Sequence, residues 1–230
     1  MGKLIVIEGL DGSGKETQSN LIFNKLKTDG YKVMKISYPR YNKESSALVK
    51  MYLRGDFGKN AEMVSPYISS TFYAVDRYAS FKTEYEQFYN DGGIIIADRY
   101  TTSNMVHQGG KITNANELDE FLDWLWELEF KTYKIPIPDK VFYLDIPVKY
   151  SIERIKIRKN KIDNKDEKDI HENNNNHLLK SYTNALKLVK RYNWDKIECQ
   201  SNNELRTIED INREIYIKLE KILKGERKIV

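Results

Sequence analysis

Gly9-Leu10-Asp11-Gly12-Ser13-Gly14-Lys15, followed by Glu16 and Thr17, is the stretch on which the fold turns. Ahead of it, the apolar run Leu4-Ile5-Val6-Ile7 is short and flanked by polar residues and glycine, and reads as a buried strand. Behind it, Leu21, Ile22 and Leu26 fall at helical spacing in a segment from Lys15 to Lys27. Strand, glycine-rich turn and helix form the context that a phosphate-binding loop requires. Glycines let the backbone curl so that successive N–H groups face phosphate oxygens. The helix N-terminus adds partial positive charge, and Lys15 adds a mobile cation for the outer phosphates. An ordinary glycine turn with an incidental lysine would not need the strand and helix around it.

One position departs from the pattern. Ser or Thr should follow the lysine and bind Mg²⁺ through its hydroxyl. Here Glu16 holds that place and Thr17 comes next. A carboxylate can bind Mg²⁺, but it would also repel phosphate, so Glu16 either takes over the metal or points away.

Working outward, Tyr31 to Ser37 reads as a second strand stopped by Pro39, Ile94 to Ala97 as a third, Val141 to Leu144 as a fourth and Lys196 to Cys199 as a weak fifth. Helices are expected over Ser45–Arg54, from Pro66 to about Tyr89, over Leu118–Phe130, from Val148 to about Lys159, and over Leu178–Tyr192 and Thr207–Leu223. Strands alternating with helices predict an α/β fold, a parallel five-stranded sheet covered by helices on both faces. Residues 1–230 read as a single domain, with a polar, charged lid at about 159–176 that ends in an asparagine run.

Composition excludes more than it selects. Of 230 residues 31% are charged and 40% hydrophobic, which suits a globular protein with a real core. No run approaches the length of a membrane span, and the N-terminal apolar stretch is too short for a signal peptide. The single cysteine, Cys199, rules out an intrachain disulfide framework. These features favour the cytoplasm. The net charge of +4 permits anionic ligands without demanding nucleic acid. His171 and His177 do not make a metal site without further ligands.

An ordered set of further segments narrows the reading. Ile7-Glu8-Gly9 through Lys15, then Thr17-Gln18; Tyr38-Pro39-Arg40-Tyr41; Phe72-Tyr73-Ala74-Val75-Asp76-Arg77; Asp98-Arg99-Tyr100 with Asn104; Leu144-Asp145-Ile146-Pro147 with Arg154 and Arg158; and Asp169-Ile170-His171-Glu172 resemble, in order and spacing, the thymidylate kinases. The resemblance spans roughly residues 3–192. It implies a phosphate-loop kinase fold and transfer of the ATP γ-phosphoryl group to dTMP, with Mg²⁺ as cofactor and a homodimer as the assembly. Other nucleoside monophosphate kinases are the nearest alternative. Deoxynucleoside kinases have a Glu-x-Trp segment that Tyr38–Tyr41 lacks, and a non-catalytic ATP sensor would not need the acceptor and lid residues.

The resemblance also assigns residues. Gly9, Gly12, Ser13, Gly14, Lys15, Glu16, Thr17 and Arg154 would hold ATP. Arg99 and Arg40 would take the dTMP phosphate, Asp11 the sugar hydroxyl, and Tyr38, Tyr73, Arg77, Asn104, His107 and Gln108 the nucleoside. Tyr73 could stack on thymine, with Arg77 one helical turn on sharing its face. Asp98 and Glu172 would serve Mg²⁺, although Asp98 could instead be the partner of a buried ion pair with Arg99 or Lys15. The family usually has tyrosine at the place of His107, which either fills the same space or bonds a sugar hydroxyl. Because the loop itself carries no arginine, transition-state charge is expected from the lid: Arg154, Lys159, Lys161, Lys165 and, as the best single choice, Arg158. Lys15, Arg99, Arg158 and Asp11 are thus the expected catalytic residues. The helix bearing Phe121, Leu122, Trp124, Leu125, Trp126 and Leu128 is apolar nearly all round, so its second face meets either another helix of the chain or a second subunit.

Overall fold

Strand β1 (Lys3–Gly9) lies in the middle of an all-parallel, five-stranded sheet. The order across the sheet is β2 (Val33–Ser37), β3 (Ile94–Asp98), β1, β4 (Lys140–Asp145) and β5 (Asp195–Glu198). The computed structural model describes residues 1–157 and 175–224. The expected lid at 159–176 therefore falls almost wholly outside the described residues, as do Arg158, Lys159, Lys161, Lys165, His171 and Glu172.

The three central strands are buried on both faces, and period-two alternation splits their side chains between two cores. Leu4, Val6, Ile95, Ala97, Val141 and Tyr143 face one core. Ile5, Ile7, Ile94, Ile96, Phe142 and Leu144 face the other. This explains why the strands read as continuous apolar runs rather than alternating ones.

The strands are joined through α1 (Lys15–Thr28), α2 (Ala47–Arg54), α3 (Pro66–Ser80), α4 (Glu86–Asn90), α5 (Thr101–His107), α6 (Ala115–Trp126), α7 (Val148–Ile157) and α8 (Asn175–Arg191), and α9 (Ile208–Lys224) follows the last strand. Helices α1 and α9 cover one face through Ile22, Leu26, Ile211, Ile215 and Leu219. Helices α5, α6 and α8 cover the other through Met105, Phe121, Leu125 and Leu188. Leu21, expected on the apolar side of α1, is exposed instead.

Local chemistry sets several boundaries. Ser65 caps α3 by accepting from Tyr67 N, with Pro66 in the first turn. Asn114 caps α6 by accepting from Asn116 N at 2.9 Å and Glu117 N at 3.2 Å, so this helix begins ahead of the expected Leu118. Helices α3 and α6 run on into π-helical turns, Phe81–Tyr85 and Glu127–Thr132, where the sequence reads as uninterrupted helix. On α6, Trp124 packs against Tyr67 of α3 with ring centroids 4.8 Å apart, so part of its apolar surface meets another helix of the chain. A short hairpin, β6 (Gln200–Ser201) and β7 (Glu204–Leu205), was not expected. Asn202 and Asn203 turn it at positive φ.

Candidate active site

A cavity of about 990 Å³ opens at the carboxyl ends of β1, β2 and β3, where parallel sheets characteristically bind ligands. One end of it is the glycine-rich loop. Gly12 and Gly14 sit at φ +75° and +92°, and a Cβ on Gly12 would lie 2.9 Å from the Ser151 carbonyl, so the curl demands glycine. Lys15 folds back over the loop. Its Nζ donates to the Leu10 carbonyl at 2.6 Å, and Ser13 N donates to the same oxygen at 3.1 Å. Burial, helped by the Arg99 charge, pulls the Lys15 ammonium down to about 7 against the opposing pull of Asp11, Asp98 and Glu8. From α7, Arg154 Nη1 donates to the Gly12 carbonyl at 3.2 Å and brings a second cation to the loop. Glu16 and Thr17 line the cavity from the exposed side of the first turn of α1, where the helix dipole favours a carboxylate. Gly9 lies behind the loop and does not line the cavity.

Arg99 leaves β3 with φ at +67°, a left-handed conformation rare for a non-glycine residue. Its guanidinium is held on several sides. Nη2 donates to Asp11 Oδ1 at 2.7 Å, Nη1 to Ser103 Oγ at 3.2 Å, and Nη1 lies 3.1 Å from His107 Nε2. Burial works against the Arg99 charge, but Asp11, Glu8 and Asp98 outweigh it and hold the pKa above the ordinary value. His107 is pushed well below the ordinary histidine value by burial and by Arg99. It is therefore neutral, and its Nε2 accepts from Arg99. His177 of α8 stacks on the His107 ring at 6.1 Å. Asp98 is buried at the cavity wall and accepts from Ser37 Oγ at 3.4 Å; neither Arg99 nor Lys15 is its ion-pair partner within 4 Å.

The opposite wall joins α3 to α5. Tyr73, Arg77, Asn104, His107 and Gln108 all line the cavity, as does Tyr38 from the end of β2. The two amides are anchored to α3: Asn104 Nδ2 donates to the Ser70 carbonyl at 3.1 Å, and Gln108 Oε1 accepts from Ser69 Oγ at 2.7 Å. Tyr73 packs edge-on to Tyr52, 6.4 Å away. The Arg40 guanidinium pairs with Glu84 and lies outside the cavity lining, next to Pro39 and Tyr41, which line it. The Arg40 backbone N–H donates to Asp76 Oδ2 at 2.9 Å, which pins the loop after β2 to α3.

Several contributors escaped the sequence reading. Glu8 is fully buried under Arg99 and accepts from Gly9 N, Thr102 Oγ1 and Ser103 Oγ within 2.9 Å. Its only signal is a carboxylate inside an apolar strand. Lys111 reaches Tyr52 Oη at 2.9 Å and the Val64 carbonyl at 3.1 Å behind Tyr73, and burial lowers it to about 7. Cys199, Leu205, Arg206 and Ile208 line the cavity beyond the loop, on the hairpin side. Among the described residues no cluster of three or more His, Cys, Asp or Glu could cage a metal ion. An Asp98 carboxylate beside phosphate-binding groups suits an ion held chiefly by phosphate and water.

Comparison with known proteins agrees with this geometry. The thymidylate kinase family model matches residues 7–215. A probable thymidylate kinase of Thermococcus onnurineus is 30% identical over 220 residues, covering 94% of this chain and 96% of the relative. The thymidylate kinase of Fervidobacterium nodosum is 27% identical over 212 residues, covering 92% and 95%. The solved structure of Candida albicans thymidylate kinase shares the fold, with a TM-score of 0.70 at 20% identity, over 96% of this chain and 92% of that one. With its phosphate loop, its Asp98-Arg99 strand end and a family match over nearly its whole length, the chain belongs to the thymidylate kinase family.

Proposed function

We propose that this protein transfers the γ-phosphoryl group of ATP to dTMP, giving dTDP and ADP. A phosphate oxygen of dTMP attacks the γ-phosphorus in line and the β–γ bridging oxygen leaves with ADP. The protein's work is to align two polyanions and neutralise their charge. Loop amides, Lys15 and Arg154 hold the ATP phosphates. Arg99 takes the dTMP phosphate with its rigid fork, while Asp11, which it already grips, turns toward the sugar. Tyr73 stacks on the base, and Arg77, Asn104 and Gln108 read its polar edge. Asp98 would hold Mg²⁺ beside the phosphates, where the ion would screen the transferring charge.

The observation that carries this reading is that Lys15, Arg99 and the Tyr73–Arg77–Asn104 wall line one continuous cavity, so donor and acceptor meet inside it. The buried thiol Cys199 fits the reducing cytoplasm. A homodimer is supported by Ile68, Val75 and Tyr78, exposed apolar residues on one side of α3. The test is ADP release over dTMP, dUMP, UMP, dCMP and dGMP. Turnover led by dTMP is expected, and silence with all five overturns the reading. Turnover of UMP would show that His107 admits a ribose 2′-hydroxyl.

A further inference from the structure

Arg77 is a cation sealed from solvent at 1% exposure, and the group that neutralises it lies outside every motif of the sequence. Glu129, at 0% exposure, meets it as a fork. Nε donates to Oε2 and Nη2 to Oε1, each at 2.6 Å. Thr101 Oγ1 donates to Oε2 at 2.8 Å. One carboxylate thus ties the two elements of the acceptor wall, α3 and the first residue of α5, to the turn after α6.

A guanidinium is planar and rigid, so fixing one edge fixes the direction of the other. Glu129 occupies the Nε–Nη2 edge. The remaining Nη1 lies 3.5 Å from the Tyr100 carbonyl, and Arg77 lines the cavity. What Arg77 presents to a ligand there is a donor and nothing else. We propose that Glu129 is a positioning residue for base selection: it holds Arg77 so that the Nη1 edge, beside the Tyr100 carbonyl, meets a ring carbonyl and rejects a ring amino group. Thymine and uracil offer an oxygen at the position where cytosine offers an amine, so the pair favours 4-oxo over 4-amino pyrimidines. The pair is also neutral as a unit, which keeps a second strong cation from competing with Arg99 for the phosphate. This inference rests on the acceptor reading above.

The test compares ADP release with dTMP and with dCMP for the wild type, Arg77→Ala, Glu129→Gln and Thr101→Val. In Glu129→Gln an amide N–H₂ faces the arginine donors, so one arm of the fork is lost. The dTMP-over-dCMP preference should fall by about tenfold or more, the scale of one charge-assisted hydrogen bond. Most of this should be a higher KM for dTMP, with kcat within about threefold. Thr101→Val keeps the charge pair and removes one bond to it, so it remains informative if Glu129→Gln does not fold. It should move the preference in the same direction by about two- to fivefold. The proposal is overturned if Thr101→Val, and Glu129→Gln where it folds, keep the wild-type preference while Arg77→Ala loses it, because the pair would then be structural only. If Arg77→Ala also keeps the preference, the base-reading role of Arg77 is wrong and this proposal falls with it. If the wild type does not turn over dTMP, the failure lies with the function itself.

Discussion

Lys15 holds its proton weakly in the ligand-free protein, because burial and Arg99 act on it together. A bound triphosphate supplies the missing counter-charge and returns the ammonium to full protonation. Nucleotide binding should therefore take up close to one proton at pH 8 and almost none below pH 6, as the lysine titrates at about 7 when the site is empty. Calorimetry in two buffers of different ionisation enthalpy reads this directly, and Lys15→Met should abolish it. For catalysis, Lys15→Ala and Arg99→Ala should each lower kcat by about 10²-fold or more, or about 2.7 kcal/mol of transition-state stabilisation. Near-normal kcat in both would contradict the roles given to them. Lys15, Asp11 and Arg99 were legible because their motifs have fixed spacing. Glu8 and Glu129 were not, because a carboxylate in an apolar stretch is ordinarily a solvated side chain, and only the buried partner reveals otherwise. The Arg40–Glu84 pair was illegible for the same reason, since Glu84 is distant in sequence.

At the scale of the element, Asn114 carries the start of α6 and, through it, the placement of Glu129. Asn114→Ala removes an acceptor for two otherwise unbonded N–H groups, and should cost about 1 kcal/mol. The urea midpoint should fall with an unchanged m-value, while kcat stays near that of the wild type. The strands were readable from short apolar runs, and most helices from spacing and punctuation. The π-helical turns at Phe81–Tyr85 and Glu127–Thr132 were not, since an extra residue in a helical turn leaves the composition unaltered. The β6–β7 hairpin was also missed: two-residue strands are too short to show a period, although Asn202-Asn203 is a turn signal.

For the whole molecule, two cores on opposite faces of one sheet follow from the alternation within three apolar strands, and this much was visible from the start. Assembly is a separate matter. If α3 pairs with its counterpart in a second copy, Val75→Glu places a charge within that apolar face. Sedimentation velocity should then show a dimer for the wild type and a monomer for the variant. A wild type that sediments as a monomer at micromolar concentration would contradict the pairing. The position of β1 has a consequence for how the protein is made. Of the five strands of the sheet it leaves the ribosome first and lies in the centre, yet its neighbours begin at Ile94 and Lys140. The nascent phosphate loop hangs from a strand with no neighbour until β3 is made and with one open edge until β4 is. The nucleotide site is thus written first and completed among the last, and any pause in translation before β4 leaves an apolar strand exposed to chaperones or to its neighbours on the polysome.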